Sequence, residues 1–149
     1  MYHYFDSSFL LSILMHDENY IEAKNTWDGS GNRFSSILLK IETLTVLRRT
    51  YNHNKSKLPE NWIELKETEY QNLIEEISIR IIDQEIYNTI ELKKQLSKCR
   101  SLDAIHIATA IEFETLETPE NRFTLCTYDK NMHSVAREIG MHVFPLVIK

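Results

Sequence analysis

The sequence predicts an α/β protein, a parallel β-sheet with helices packed on both faces. Three observations predict it. Short runs rich in β-branched and aromatic residues alternate with longer stretches whose apolar residues recur at helical spacing. Strands separated by helices call for right-handed crossovers and hence a parallel sheet. The 149 residues are the length of one domain, and a chain of that size buries roughly 70% of its unfolded surface without a disulfide or zinc. A single domain over 1–149 is the expectation.

The elements follow in order. Tyr2–Phe5 is a short aromatic run that reads as the first strand. Ser7 to Trp27 carries Leu10, Leu11 and Leu14 at helical spacing and reads as two helices meeting near His16–Asp17. Asp28-Gly29-Ser30-Gly31-Asn32 is a turn signal. Arg33–Ser35 reads as a short strand, and Ser36 to Tyr51 as a helix. A further helix is expected from Leu58-Pro59 to Glu76, with Pro in the first turn where its missing N–H costs nothing. Ile77–Asp83 (ISIRIID) is the clearest strand by its β-branched content. Gln84–Ser97 and Ser101–Thr115 read as helices, and Phe123–Tyr128 as a strand. Lys130–Ile139 is a short helix closed by Gly140, and Met141–Phe144 is the last strand.

Composition removes several classes. Hydrophobic residues at 42% and charged residues at 26% are ordinary for a globular domain. Three Gly and three Pro exclude collagen-like and Pro/Gly-rich chains. No apolar run approaches the length of a membrane span. The opening MYHYFDSS has neither the basic nor the apolar part of a secretory signal. Cys99 and Cys126 are far apart and in no CxxC pattern, which fits a reducing cytoplasm. The net charge is −5, unfavourable for phosphate backbones if spread evenly. It is not spread evenly. Bases (Lys40, Arg48, Arg49, Lys55, Lys57) dominate one stretch, and acids (Glu60, Glu64, Glu67, Glu69, Glu75, Glu76) dominate the next. A second basic cluster is Lys93, Lys94, Lys98 and Arg100. These are either solvated helix faces or a basic groove on an acidic body.

Four carboxylates stand out. Asp6 ends the first strand and Asp129 ends the FTLCTY strand. Each either caps the following helix or enters a crevice at the carboxyl ends of the strands, where sites form in such sheets. Glu42 shares a helix face with Leu38, Leu39, Thr45 and Val46, a costly place for a charge unless a cation or metal pairs with it. Asp103 lies in the first turn of SLDAIHIATA. It either meets the helix dipole at the surface or is pushed toward the sheet's end by the tight packing of Ala104, Ala108 and Ala110.

These motifs, YFDSSFLLSIL, SSILLKIETLTVLRR, SLDAIHIATA and LCTYDKNMHSVAREIGMHVFP, resemble the PIN domain family and within it the VapC-like toxins of toxin–antitoxin pairs. The resemblance spans nearly the whole chain. It places the family's acids at Asp6, Glu42, Asp103 and Asp129, the last in a T-x-D motif with Thr127. It implies a three-layer sandwich around a five-stranded parallel sheet of order 3-2-1-4-5. That order sets the strands ending in Asp6 and Asp129 side by side.

Clustered carboxylates repel one another when ionised, and hard divalent cations such as Mg²⁺ or Mn²⁺ relieve the repulsion through oxygen ligands. Ser7, Ser8 and Thr127 suit hydrogen bonds to such carboxylates or serve as ordinary helix-start and strand hydroxyls. His106, one turn after Asp103, reads as a packing or surface histidine, with a substrate contact as the alternative. The resemblance implies an endoribonuclease, a homodimer, and a small antitoxin partner. Arg48, Arg49, Lys98 and Arg100 are the expected RNA contacts. The alternatives are a PIN-fold nuclease acting on DNA or in RNA processing, and a non-catalytic module of the same fold. A haloacid-dehalogenase-type phosphatase needs an acid where Ser8 stands, and a receiver domain needs a strand-to-helix turn beyond the chain's last strand.

Overall fold

A computed structural model describes residues 1–149. The chain runs β1 (Tyr2–Phe5), α1 (Ser7–Met15), α2 (Tyr20–Gly29), β2 (Asn32–Ser36), α3 (Ile37–His53), α4 (Trp62–Ile74), β3 (Ser78–Arg80), α5 (Gln84–Leu92), α6 (Ser101–Glu114), β4 (Phe123–Cys126), α7 (Lys130–Glu138) and β5 (His142–Phe144), with a 3-10 turn at Lys94–Lys98. All strand pairs are parallel, in the order β3-β2-β1-β4-β5. The α/β class and the strand order are as expected.

Alternation along the strands builds two cores. Tyr4, Phe123, Leu125 and Val143 face one side, where they pack with Ile86, Leu96, Ile107, Met132 and Val135. Phe5 and Cys126 face the other, against Phe9, Leu10, Trp27, Leu39, Leu47 and Tyr70. A parallel sheet covered on both faces needs this doubly apolar pattern. From β1 the chain builds outward to β2 and β3, then returns to β4 on β1's other edge. The reversal leaves a crevice between the carboxyl ends of β1 and β4.

The helices obey local chemistry. The α1–α2 corner turns on His16, whose φ of 50° is left-handed. Leu39, Thr43 and Leu47 are buried at four-residue spacing along α3. Gly140 closes α7 at φ 92°, and the Met141 N–H reaches back to the Ala136 carbonyl at 3.0 Å, a left-handed helix end that glycine adopts without strain.

Three expectations change. The ISIRIID strand shrinks to Ser78–Arg80. It is an edge strand with one partner, and beyond Arg80 the chain leaves the sheet, with Ile81 and Ile82 exposed. Asp83 instead caps α5, accepting the Glu85 and Ile86 N–H groups at 3.1 and 3.2 Å. Pro59 precedes α4 rather than opening it: the Trp62 N–H bonds the Pro59 carbonyl at 3.0 Å, and the helix starts at Trp62. The helix expected over Gln84–Ser97 stops at Leu92 and resumes as the 3-10 turn. No helix is long and apolar enough to cross a membrane.

Candidate functional site

The register pairs Phe5 with Cys126, so the residues that follow them, Asp6 and Thr127, emerge together at the sheet's end. Asp6 is buried. Its Oδ1 accepts the Phe9 N–H at 3.0 Å and so caps α1. The same oxygen accepts from Ser8 Oγ at 2.7 Å, and Oδ2 accepts from Thr127 Oγ1 at 2.5 Å. Asp6 therefore caps α1 and is also tied to the residue that follows β4. Burial pushes its carboxyl up to about 6, against the opposing pull of His106, Thr127, Ser8 and the Phe9 amide.

Thr127 Oγ1 also accepts the Asp129 N–H at 3.0 Å. Asp129 caps α7 through Oδ1, which accepts the Met132 N–H at 2.7 Å. Ser8 Oγ accepts the Tyr128 N–H at 2.9 Å, which ties the start of α1 to the segment after β4.

Glu42 comes from α3, half-buried, and Ser7 Oγ donates to its Oε1 at 3.2 Å. Asp103, at the start of α6, accepts no hydrogen bond from a protein group. Its carboxyl is raised by burial first and by Asp129 next, and Glu42 adds to this; His106 and Arg100 oppose it. His106, one turn after Asp103 on α6, bonds Glu42 Oε1 at 2.6 Å and so ties the start of α6 to α3. Burial first, then Asp103 and Asp129, push the Cys99 thiol up to about 11. No lysine or arginine ion-pairs with any of the four acids, and the one ring nitrogen that reaches them is His106 Nε2 on Glu42.

The PIN domain model matches residues 3–138 of the chain. The chain belongs to the PIN domain family. Among solved structures, this PIN domain is similar to a toxin–antitoxin complex from Klebsiella pneumoniae (TM-score 0.60, 19% identity, covering 85% of this chain and 86% of that one). It is similar to VapBC2 from Rickettsia felis bound to a DNA fragment from their promoter (TM-score 0.62, 12% identity, 96% and 97% covered). It is also similar to VapBC-1 from nontypeable Haemophilus influenzae (TM-score 0.57, 13% identity, 96% of each chain). At these identities the likeness is one of fold. A search of curated proteins finds no match.

The oxygens of this PIN domain's acids fit a hard divalent cation by their chemistry. Asp103 keeps both carboxylate oxygens free of protein donors, Glu42 keeps Oε2 and Asp129 keeps Oδ2. Asp6 has donors on both oxygens. No three His, Cys, Asp or Glu side chains form a finished metal cage as they stand. The match lies in donor type and uncompensated charge.

The histidine is the correction. His106 is neither on the surface nor merely packed. It is buried on α6, with Nε2 2.6 Å from Glu42 Oε1 and Nδ1 2.7 Å from the Tyr4 hydroxyl. The sequence signal was a polar ring on the otherwise small and apolar face of SLDAIHIATA. Its partner lies 64 residues away in sequence, so no local spacing shows it.

The basic residues are placed as follows. Arg48 Nε pairs with Glu67 Oε1 at 2.7 Å, so the segregated charges of α3 and α4 meet at least once across the helix pair. Lys98 pairs with Glu138 at 2.5 Å. Arg49 and Arg100 are exposed without an ion pair, and Arg100 immediately precedes α6.

Proposed function

We propose that this chain is a VapC-like endoribonuclease, a single PIN domain over 1–149 that cuts RNA phosphodiester bonds with Mg²⁺ or Mn²⁺. The observation that supports this most is that Ser7 and His106 bond Glu42, Thr127 joins Asp6 to the Asp129 amide, and no lysine or arginine ion-pairs with any of the four acids. Such uncompensated charge is relieved by a hard cation. In this reading Asp6, Glu42, Asp103 and Asp129 hold the metal and are the catalytic acids. A bound ion supplies Lewis-acid polarisation of the phosphate and a more acidic attacking water.

The chain's own residues orient that chemistry. Ser7 holds Glu42, Ser8 and Thr127 hold Asp6, and the Asp129 amide ties the last acid to Thr127. Arg48, Arg49, Lys98 and Arg100 guide the RNA backbone. A small antitoxin is the proposed partner, in line with the toxin–antitoxin complexes of similar fold. A homodimer and a cytoplasmic location complete the reading.

The test is incubation of the purified protein with single-stranded RNA and DNA, in Mn²⁺ and in EDTA. RNA cut only in Mn²⁺ is the expected result. Cleavage of DNA alone would replace the substrate class, and no cleavage of either would leave a non-catalytic module.

A further inference from the structure

Three of the four acids sit on elements that one buried hydrogen-bonded chain links together. Tyr4 is two residues before Asp6 on β1. His106 is one helical turn after Asp103 on α6. Glu42 is on α3. The chain runs from the Tyr4 hydroxyl to His106 Nδ1 at 2.7 Å, and from His106 Nε2 to Glu42 Oε1 at 2.6 Å. Tyr4 and His106 are essentially inaccessible to solvent.

The donor directions follow from chemistry. An ionised carboxylate only accepts, so Nε2 carries a proton and donates to Glu42. In the neutral imidazole Nδ1 is then an acceptor, and the Tyr4 O–H donates to it. Tyr4 therefore selects the tautomer that points an N–H at Glu42. Both protein donors to Glu42, His106 and Ser7, converge on Oε1, and Oε2 receives none.

We propose that His106, oriented by Tyr4, is a positioning residue that holds Glu42 by Oε1 and keeps Oε2 free for a divalent cation. This rests on the metal-nuclease reading above. A glutamate on a helix otherwise explores many rotamers, and a buried imidazole with both nitrogens engaged fixes one of them. Partners of this kind, one bond removed from a metal, commonly set affinity tenfold to a hundredfold.

The experiment is Mn²⁺ titration of metal-free protein by calorimetry, together with thermal melting in EDTA. The proteins are wild type, His106→Leu, His106→Gln, Tyr4→Phe and Ile107→Ala. Ile107 is the fully buried core neighbour on the same helix and takes no part in the hydrogen bonds to Glu42. Expected are Mn²⁺ affinity weakened about tenfold or more in His106→Leu, and recovery in His106→Gln, whose amide N–H again donates to Glu42. Tyr4→Phe should show an intermediate loss, and Ile107→Ala wild-type affinity despite a lower melting temperature. Wild-type affinity in His106→Leu, or an equal loss in Ile107→Ala, overturns the positioning role and leaves the nuclease reading intact. If His106→Leu does not fold, Tyr4→Phe decides: unchanged affinity there overturns the proposal. A wild type that binds no Mn²⁺ overturns both.

Discussion

Thr127 Oγ1 donates to Asp6 Oδ2 at 2.5 Å and accepts the Asp129 N–H at 3.0 Å, so one buried hydroxyl joins the acids that end β1 and β4. Thr127→Val keeps the shape and removes the hydroxyl. A buried charged acceptor and an amide then lose a partner, which costs about 1–3 kcal/mol. The expected result in urea unfolding is a loss of that size at pH 7, smaller at pH 4 where Asp6 is protonated. Equal losses at both pH values would show that packing, not the hydrogen bond to the charge, is what Thr127 contributes.

Burial raises the Asp6 carboxyl from 3.8 to about 6. Between those values the folded protein keeps a proton that the unfolded chain has released. Folding stability therefore falls as pH rises through that window, and the penalty is absent below about 4 and complete above about 6. The change is about 3 kcal/mol. In EDTA, wild type should lose stability relative to Asp6→Asn as pH rises from 4 to 7. Parallel stability curves for the two proteins would place the ionised Asp6 in a solvated setting instead.

Asp103 carries the burden of its neighbours without a hydrogen bond to offset it. Asp103→Asn should melt above wild type in EDTA at pH 7. The carboxyl is only half-buried and solvent screens it, so the gain is below about 1 kcal/mol. Mn²⁺ should reverse the order, because an ion at 100 times its dissociation constant stabilises wild type by about 2.7 kcal/mol and the variant by less. If the variant melts lower by the same margin with and without Mn²⁺, Asp103 acts through the α6 dipole alone.

Arg48 is held by Glu67, whereas neighbouring Arg49 is exposed and without an ion pair. Arg49→Ala should weaken single-stranded RNA binding more than Arg48→Ala. It should also lower the slope of log affinity against log salt by about 0.7, one phosphate's worth of released counterions. An unchanged slope in Arg49→Ala would shift the RNA path toward Arg100 and the start of α6.

The sheet was legible in the sequence because its central strands, β1 and β4, are aromatic or apolar on both faces and helices with apolar spacing separate the strands. Asp6, Asp103 and Asp129 stood out at a strand end or helix start and Glu42 by its place on an apolar helix face, and the family resemblance joined them into one set. Most of what escaped was set by contacts distant in sequence. ISIRIID has strong β-branched content, yet only Ser78–Arg80 has a neighbour to pair with. Pro59 fits a first helical turn, yet the turn at its carbonyl delays α4 to Trp62. His106 looked like packing because its partners, Tyr4 and Glu42, come from two other elements. The basic stretch of α3 read as a possible groove, and part of it is neutralised by α4.

If Asp6, Glu42, Asp103 and Asp129 act together on RNA, no single one is dispensable. The direct measurement is Mn²⁺-dependent cleavage of end-labelled single-stranded RNA by wild type, Asp6→Asn, Glu42→Gln and Asp103→Asn, each repurified and checked for folding. Expected are products with a 5′-phosphate from wild type, and rates lower by about 100-fold or more in every variant, the scale of losing a transition-state electrostatic contact. Cleavage at near wild-type rate by folded Asp6→Asn or Asp103→Asn would contradict the assignment of the site.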